Sequence, residues 1–330
     1  MSQSFRWGIL STGGIAKKFV RDLSYLADHE VVAVGSRSQA SADAFADYFA
    51  IPNRHASYQD LVNDPEVDGI YVATHHPMHR RDAELAMNAG KAVLCEKPFA
   101  MNYADSLAMV ECAKKNNVLL MEAMWTRFLP HILRIREIIA SGVLGEIISV
   151  RADHGRYFPL DAEFRLFKPE LGGGALFDLG IYPVSFAHMV LGAPKTITAK
   201  ARKAFTGVDG QTSIIMEYES GAHALLSTSN MGATPNRAVI AGTKARIEID
   251  RTFYAPSTFK VIDCNDMVID GWDKDYDGLG LREEAAEFAR AFRAGEKESP
   301  KMTHADTLSV MKSINEIADQ IGLVYPEFIM

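Results

Sequence analysis

Short apolar segments alternate with amphipathic helical segments over the first 122 residues, and this rhythm constrains the fold more than any other feature. The apolar segments span residues 5–10, 31–34, 69–73, 92–95 and 118–121. Between them, Ser38 or Ser41 is predicted to cap the second helix, and Ser57 a short helix after it. Strands that are covered by helices on both faces read as continuous apolar runs. A strand–helix–strand rhythm also implies parallel strands joined by right-handed crossovers. Residues 1–122 are therefore predicted to form an α/β domain with a doubly wound parallel sheet.

The rhythm changes after residue 122, where strands follow one another with few helices between them. Strands are predicted near 146–153, 195–204, 212–219, 222–230, 237–241 and 245–250, with hairpin turns at 207–210 and 219–221. Two helices are predicted to close the chain: the first carries Phe288 on its apolar face, and the second opens with Thr303 and Asp306 as a capping box. Neighbouring strands that are joined by short turns form antiparallel sheets. Residues 123–330 are therefore predicted to form an α+β domain around a large, open, mostly antiparallel sheet, which would bind the substrate.

The charge balance and the cysteine count exclude several classes of protein. There are 42 Asp and Glu against 35 Lys and Arg, so the formal net charge is −7. A protein that binds nucleic acid through a general basic surface has the opposite balance. The three cysteines lack metal-type spacing and fit a reducing compartment. We therefore expect a cytoplasmic protein without a nucleic-acid, membrane or metal partner.

The turn between the first strand and the first predicted helix carries Ser11-Thr12-Gly13-Gly14-Ile15. Compared with the glycine-rich dinucleotide fingerprint, Ser11 occupies the position of the first glycine and Gly13 that of the second. Glycine lets the backbone approach a pyrophosphate, and the N–H groups at the start of the helix bind that anion. One glycine is missing, but the first strand–helix junction of a parallel sheet is where a Rossmann domain binds its dinucleotide.

The residues after the second strand indicate which dinucleotide binds. Ser36-Arg37-Ser38 stands there, and no acidic residue follows until Asp43. An acid at this position would bind the ribose 2′-hydroxyl of NAD, whereas the planar fork of Arg37 suits the 2′-phosphate of NADP. NADP is therefore the expected cofactor and NAD the alternative, in which Arg37 would be a solvated residue at the end of a strand.

Polar residues follow the third and fourth strands, at the carboxyl ends where open parallel sheets bind ligands. Glu96 and Lys97 follow the fourth strand, and Lys97 is predicted to point into the binding crevice. Thr74 and His79 follow the third strand and are predicted to line the nicotinamide pocket. The histidines near Thr74 lack metal-ligand spacing, so no metal site is expected.

Asp178 and Tyr182 follow a glycine-rich loop at 172–174 and would share one face of an unbroken helix. Pro183 leaves open whether the helix continues, and a half-buried core tyrosine is the alternative for Tyr182. Weaker substrate-pocket candidates stand at the end of the strand that opens the second domain: His154, Arg156 and Phe158.

Four motifs together resemble the glucose–fructose oxidoreductase/inositol dehydrogenase/MocA (Gfo/Idh/MocA) family. They are the early fingerprint and the segments 96–98, 122–128 and 172–183, so the match covers nearly the whole chain. Within the family the chain is most similar to the branch of dimeric dihydrodiol dehydrogenases, or NADP-dependent D-xylose 1-dehydrogenases. Segments 6–11, 92–98, 121–128 and 322–326 carry this closer resemblance, and Ser11 and Tyr182 fit the same branch.

The resemblance implies roles for individual residues. It places Lys97 and Tyr182 at the reaction centre with Asp178 beside them, and Trp125 and Arg127 along the cofactor or substrate pocket. The open C-terminal sheet often forms the dimer interface in this family, so a homodimer or higher homo-oligomer is expected.

These residues suit the reversible oxidation of a secondary alcohol or cyclic hemiacetal with NADP, and the resemblance implies a substrate of the D-xylose or trans-dihydrodiol type. Tyr182 would accept the hydroxyl proton, since a nearby Lys97 ammonium lowers a phenol pKa from its usual ~10. Asp178 would orient Lys97 or the substrate hydroxyl, and the roles of Lys97 and Tyr182 could be exchanged. The alternatives are reduction of a keto-sugar or dicarbonyl compound by the same residues, and a non-catalytic dinucleotide-binding sensor or co-repressor.

Overall fold

A computed structural model describes residues 4–326, which divide into two compact units. Within this range the first unit comprises 4–125 and 278–307, and the second comprises 126–277 and 308–326. The sequence-based division assigned everything after residue 122 to the second domain. It differs from the structure because 278–307 contains a helix whose Phe288 packs on Phe5 and Trp7 of the first strand.

The first unit is built on a sheet of six strands in the order β3-β2-β1-β4-β5-β6. The strands are β1 (Phe5–Leu10), β2 (His29–Gly35), β3 (Asn53–His55), β4 (Gly69–Val72), β5 (Ala92–Glu96) and β6 (Leu120–Ala123). Every pairing in this sheet is parallel, which confirms the predicted doubly wound architecture. The short strand β3 was missed because its residues, Asn53-Arg54-His55, are all polar.

Six helices belong to the first unit. They are α1 (Gly14–Leu23), α2 (Gln39–Phe49), α3 (Tyr58–Val62), α4 (His79–Asn88), α5 (Tyr103–Asn116) and α8 (Leu281–Arg293), numbered in chain order. The predicted caps are confirmed for two of them. The Ser38 hydroxyl accepts the Ser41 N–H at the start of α2, and the Ser57 hydroxyl accepts the Asp60 N–H at the start of α3. A hydroxyl at this position satisfies one of the N–H groups that lack a helical partner.

Helix α8 is capped by a residue from the other end of the chain. The buried Asp22, near the end of α1, accepts the N–H groups of Leu279 at 2.7 Å, Gly280 at 2.8 Å and Arg282 at 3.0 Å. A carboxylate at a helix N-terminus also interacts favourably with the helix dipole. Asp22 therefore fixes the start of α8 against α1.

Replacing Asp22 with alanine is expected to lower the free energy of unfolding by about 3 kcal/mol, because one buried and two partly buried N–H groups lose their acceptor. Asp22→Asn should cost less, since the amide oxygen still accepts. Chemical denaturation measures the difference. The control is Asp47→Ala, which removes an exposed carboxylate paired with Arg54 at 2.6 Å and should change stability by less than about 1 kcal/mol. Equal stability of Asp22→Ala and the unmodified protein would contradict the capping role.

The second unit is built on a sheet of eight strands in the order β14-β13-β12-β11-β7-β10-β9-β8. The strands are β7 (Ile147–Gly155), β8 (Thr196–Lys203), β9 (Asp209–Glu217), β10 (His223–Ser229), β11 (Ala238–Gly242), β12 (Ala245–Ile249), β13 (Phe259–Asp263) and β14 (Val268–Trp272). Only β7 and β10 pair in parallel, so the predicted mostly antiparallel sheet is confirmed. Strands β13 and β14 were not predicted.

The helices α6 (Pro130–Ala140), α7 (Ile181–Leu191) and α9 (His304–Gln320) complete the structure, and α7 packs on β7 and β10. The capping box predicted for α9 is confirmed, since Thr303 and Asp306 exchange side-chain-to-backbone hydrogen bonds at 3.0 and 3.1 Å. The predicted hairpin turns at 207–210 and 219–221 are also present, between β8 and β9 and between β9 and β10.

Among the described residues, the segment Pro169–Leu191 is long and apolar enough to cross a membrane by length and composition alone. The sequence analysis did not predict such a segment. In the structure 83% of its apolar window is buried inside the protein. Its apolar character therefore reflects its place in the core of the second unit.

Candidate active site

The turn after β1 has the backbone of a dinucleotide-binding loop. Ser11, at the position of the first fingerprint glycine, has a φ of +105°, a conformation that favours glycine. A Cβ added to Gly13 would meet only the Ser11 hydroxyl, at 3.7 Å, and one added to Gly14 would meet nothing within 4 Å. No side chain among the described residues caps the first turn of α1. The start of α1 can therefore bind a pyrophosphate through its N–H groups, with Thr12 and Ile15 in the same turn.

Arg37 follows β2 and is exposed, while its neighbour Ser36 is buried. The pKa of the Tyr58 phenol is raised by burial and by nearby Asp82, and the Arg37 guanidinium opposes that rise. Arg37 therefore lies beside Tyr58, with Ser38 adjacent at the cap of α2. This exposed guanidinium stands at the end of β2, where a Rossmann sheet binds the adenosine ribose.

His79 is fully buried, and its ring nitrogens face two backbone carbonyls, that of Pro98 at 2.9 Å and that of Thr74 at 3.1 Å. Burial lowers the pKa of His79 to about 4, so the ring is neutral at physiological pH. The loops after β4 and β5 are thereby joined through one side chain. This burial favours a structural role for His79 over the direct cofactor contact predicted from the sequence. Within residues 4–326, no group of three or more His, Cys, Asp or Glu side chains is arranged to bind a metal.

Lys97 lies immediately after β5 and is partly exposed at the carboxyl end of the parallel sheet. The preceding Glu96 is buried, accepts a hydrogen bond from the Tyr71 hydroxyl, and accepts the backbone N–H of Lys97 at 3.2 Å. The buried glutamate thus fixes the backbone from which Lys97 projects. Glu96 therefore positions Lys97, while its own side chain is buried at the end of β5.

Trp125, at the end of the first unit, is partly exposed, whereas Arg127, in the second unit, is buried. The Arg127 guanidinium donates to the hydroxyl of Ser185 at 3.1 Å and to its carbonyl at 2.9 Å. Ser185 lies on α7, one turn after Tyr182. Arg127 therefore anchors the helix that carries Tyr182, a role that the sequence motif alone did not indicate.

Asp178 and Tyr182 lie on one helical stretch, but its geometry is not that of a simple α-helix. Residues Leu176–Gly180 form a π-helical turn that leads directly into α7, and the helix continues through Pro183. The Asp178 carboxylate accepts a hydrogen bond from the Arg165 guanidinium at 2.9 Å. This partner was not predicted. The wider π turn changes the angle between Asp178 and Tyr182 relative to the α-helical spacing assumed from the sequence.

Tyr182 belongs to a cluster of three rings in the second unit. Its ring centroid lies 5.3 Å from that of His154 and 4.9 Å from that of Tyr254, while His154 stacks on Tyr254 at 3.9 Å. The Thr126 hydroxyl donates to the Tyr254 carbonyl at 2.7 Å and holds the loop that follows β12. Tyr254 was not predicted, because a single tyrosine in a loop carries no sequence signal.

Arg156 and Phe158 follow β7, beyond His154. Arg156 is exposed, its guanidinium lies 5.0 Å from the centroid of the Phe158 ring, and Phe158 stacks on Phe164 at 5.3 Å. The contact between Arg156 and Phe158 is a cation–π pair. The three candidates of this strand end thus lie in different surroundings, with His154 packed on tyrosine rings and Arg156 exposed.

The predicted residues fall into two groups. The predicted cofactor residues of the first unit lie at the carboxyl ends of its parallel strands or in the segments that follow them, and His79 and Glu96 are among the buried ones. Asp178, Tyr182 and His154 lie close together in the second unit. Lys97 belongs to the first unit and Tyr182 to the second, and their joint action stays a prediction.

A Rossmann sheet with an open turn after β1, followed by a unit with a large antiparallel sheet, defines an NAD(P)-binding oxidoreductase. Residues 5–124 match the family described as "Oxidoreductase family, NAD-binding Rossmann fold", and residues 132–248 match the "GFO/IDH/MocA C-terminal domain". The chain belongs to the Gfo/Idh/MocA family of oxidoreductases.

Curated relatives extend over nearly the full chain. A trans-1,2-dihydrobenzene-1,2-diol dehydrogenase from Xenopus laevis is 38% identical, with 97% of this chain and 99% of that protein covered. The enzymes of the same name from Mus musculus and Homo sapiens are 36% and 33% identical, with 98% of this chain and 99% of each relative covered.

Solved structures share the fold. An aldose-aldose oxidoreductase from Caulobacter crescentus, complexed with glycerol, superposes with a TM-score of 0.87 at 24% identity, over 96% of this chain and 97% of that one. A 3-ketoreductase from Actinomadura kijaniata, crystallised with NADP and TDP-benzene, superposes with a TM-score of 0.85 at 24% identity, over 97% and 98%.

Proposed function

We propose that this protein is an NADP-dependent dehydrogenase that oxidises a CH–OH group reversibly, with a sugar such as D-xylose or a trans-dihydrodiol as substrate. The observation that carries the proposal is the placement of Lys97 at the carboxyl end of β5 in an NAD(P)-binding sheet, together with Tyr182 in an aromatic cluster of the second unit. The names of the curated relatives support the substrate class.

The residues of the first unit fit the cofactor. The turn at 11–15 would bind the pyrophosphate, the segment 36–38 the ribose end, and Thr74, Lys97 and Trp125 the nicotinamide end. The open space beside Gly13 and Gly14 supports this assignment, since a backbone anion site requires it. When bound, NADP supplies the acceptor for the hydride that leaves the carbinol carbon.

Tyr182 would take the proton of the substrate hydroxyl. A phenol with a pKa near ~10 is a poor base at neutral pH, and an ammonium within about 4–6 Å lowers such a pKa by roughly 1–3 units. Lys97 would provide that charge and stabilise the developing alkoxide. The exchanged assignment, with Lys97 as the base and Tyr182 as the hydrogen-bond donor, uses the same two groups.

Asp178 would orient the substrate hydroxyl or Lys97. Its carboxylate is buried, and its Arg165 partner holds one oxygen at 2.9 Å. His154 and Tyr254, stacked beside Tyr182, would form a wall of the substrate pocket, and Arg156 and Phe158 would extend it.

The proposal is tested by following reduced-nicotinamide absorbance with NADP and a panel of aldoses, polyols and trans-dihydrodiols. The expected result is saturable NADPH formation with at least one member of the panel. The reverse assay, with NADPH and keto-sugars or dicarbonyl compounds, identifies a reductase that uses the same residues. Tight NADP binding without turnover in either direction would contradict the proposal and favour a sensor or co-repressor.

Arg37→Ala is expected to raise KM for NADP by about 10- to 100-fold, because a charge-assisted contact with the 2′-phosphate contributes roughly 1.5–3 kcal/mol. KM for NAD should change by less than about threefold, since NAD lacks that phosphate. The control is Arg54→Ala, which removes a nearby guanidinium paired with Asp47. Equal effects of Arg37→Ala on both dinucleotides would remove the assignment of Arg37 to the 2′-phosphate.

We propose a homodimer through the second-unit sheet, and the residues on the exposed face of that sheet support it. Ile215 and Leu225 are directly opposite each other on β9 and β10, and they are 44% and 40% exposed. The same row continues through Arg151 of β7 and Val239 of β11. Apolar side chains at the centre of an open sheet are typical of a surface that a second subunit covers.

Substituting both Ile215 and Leu225 with glutamate is expected to shift the protein to monomers, because four or more buried carboxylates would face one another in a symmetric interface. Sedimentation velocity or light scattering measures the mass. The control replaces Gln39 and Gln59, two exposed residues of the first unit, with glutamate and should leave the mass unchanged. A monomeric unmodified protein would refute the dimer. A double variant that remains dimeric would place the interface elsewhere.

The three free cysteines also fit a reducing compartment, which supports the proposed cytoplasmic location.

A further inference from the structure

The helical stretch that carries Asp178 and Tyr182 begins at a loop that two distant residues hold in place. The N–H of Leu176, the first residue of the π turn, donates to Asp209 Oδ2 at 2.8 Å. The Tyr325 hydroxyl donates to the Gly173 carbonyl at 2.5 Å. Both residues come from other parts of the second unit, Asp209 from the start of β9 and Tyr325 from the segment after α9. Neither has a role in the proposed mechanism.

The Asp209 carboxyl group is buried, and its Oδ2 accepts two hydrogen bonds. It is 1% exposed, and the Thr212 hydroxyl donates to the same Oδ2 at 2.9 Å. Its Oδ1 faces Gly174, where an added Cβ would lie 2.3 Å away and 3.2 Å from the Tyr325 hydroxyl. Gly174 also has a φ of +121°, so no other residue fits there without strain. The glycine-rich loop is thus shaped around the Asp209 carboxyl and the Tyr325 hydroxyl.

Tyr325 contacts the stretch at a second point. Its ring meets the ring of Phe177 edge-on, with centroids 5.6 Å apart and planes at 81°. Phe177 directly precedes Asp178 within the π turn. The hydroxyl of Tyr325 therefore holds the loop before the turn, while its ring packs against the turn itself. π-Helical turns are rare and occur frequently at functional sites, and the contacts of Asp209 and Tyr325 hold this one from two sides.

We propose that Asp209 and Tyr325 are positioning residues, which fix the π turn and thereby the places of Asp178 and Tyr182 in the reaction. The inference rests on the proposed function of those two side chains. Neither Asp209 nor Tyr325 touches the reacting atoms. Displacement of a reacting group by about 1 Å can lower a rate about a hundredfold, so small movements of the turn have large kinetic effects.

Kinetics of matched variants test the role. Asp209→Ala is expected to lower kcat at least about tenfold, and Tyr325→Phe about three- to tenfold, with KM for NADP within about twofold of the unmodified value. Asp209→Asn should restore most of kcat, because its amide oxygen can accept the Leu176 N–H. The control is Tyr218→Phe, which removes a phenol hydroxyl bonded to Met216 beyond the far end of β9. Its kcat should be unchanged.

Hydrogen exchange supplies a readout that does not depend on turnover. Amides of residues 174–182 should exchange at least about tenfold faster in Asp209→Ala and Tyr325→Phe, while those of β1 stay unchanged. Tyr325→Phe removes a single hydroxyl and decides the question alone if Asp209→Ala does not fold. An active enzyme in which kcat or local exchange is unaffected in these variants would overturn the positioning role. Absence of turnover in the unmodified protein would refute the proposed function, and the exchange data would then still show whether the two residues fix the turn.

Discussion

Tyr182→Phe is expected to lower kcat by about a thousandfold, because the variant keeps the ring but removes the group that accepts the substrate proton. Proper placement of a general acid–base group contributes about 10²- to 10⁴-fold to a rate. The variant keeps the aromatic ring that packs beside His154 and Tyr254, so the fold should be retained. Pre-steady-state formation of NADPH measures the chemical step apart from product release.

Lys97→Met is the companion variant and should cause a loss of similar size, because the phenol pKa returns toward its usual range without the ammonium. The acid limb of the pH–rate profile should then move to higher pH in Lys97→Met if Tyr182 is the base. The control is Lys114→Met, which removes an exposed ammonium of α5 paired with Glu111. Near-normal kcat in Tyr182→Phe would exclude the phenol as the acid–base group.

The second large effect concerns two glutamates on α8, because a Glu→Gln substitution should change the free energy of unfolding in opposite directions at the two positions. Glu284 is fully buried, and burial followed by the nearby charge of Glu96 raises its pKa well above the usual range. Glu287, one turn further along, is buried as well, but hydrogen bonds from Arg290, Lys301 and Ser299 outweigh the desolvation and lower its pKa to about 2. Folding therefore favours the neutral form of one side chain and the ionised form of the other.

Glu284→Gln is expected to stabilise the protein at pH 7, on the order of 2 kcal/mol, because the unfolded chain no longer gains from ionising that group. The gain should vanish as the pH falls to about 4.5, where the unfolded glutamate is protonated too. Glu287→Gln should instead cost roughly 2–3 kcal/mol above pH 4.5, and the cost should shrink as the pH falls toward about 2.

Urea denaturation at a series of pH values measures both changes. Because both substitutions are Glu→Gln in the same helix, each variant is the control for the other. Destabilisation by Glu284→Gln at pH 7 would show that the glutamate is ionised in the folded state and would contradict this account of the first unit's interior.

The sequence predicts those helices and strands that are specified by a few adjacent residues. Continuous apolar runs located five of the six parallel strands, and hydroxyl caps such as Ser38 and Ser57 located the starts of α2 and α3. These signals depend on a few adjacent residues, which decide backbone conformation and burial together. The polar strand β3 and the strands β13 and β14 lack such signals, since their pairing depends on neighbouring strands.

The first unit combines two separate segments of the chain, and it shows why tertiary contacts could not be predicted from local sequence patterns. The apolar face of α8, with Phe288, predicted a helix correctly but did not say which sheet the helix covers. The deciding contacts are the Asp22 carboxylate at its N-terminus and the rings of Phe5 and Trp7. These partners are more than 250 residues away in the sequence.

The candidate site shows the same division. The positions of Arg37 and Lys97 after β2 and β5 could be predicted, because the carboxyl ends of parallel strands meet at one edge of the sheet. Their roles stay predictions. The Arg165 partner of Asp178 and the Tyr254 ring beside Tyr182 could not, because each comes from a loop whose path only the folded structure defines. The burial of His79, whose ring nitrogens face two backbone carbonyls, could likewise not be predicted from the sequence.

A crystal structure of the protein with NADP and an unreactive analogue of a substrate found in the panel would test the central claim most directly. The account predicts that Lys97 Nζ and Tyr182 Oη both lie within hydrogen-bond distance, about 3.2 Å or less, of the same substrate oxygen. It also predicts that the carbon bearing this oxygen faces the nicotinamide ring. A complex in which only one of the two side chains reaches that oxygen, or in which they lie in separate pockets, would contradict it.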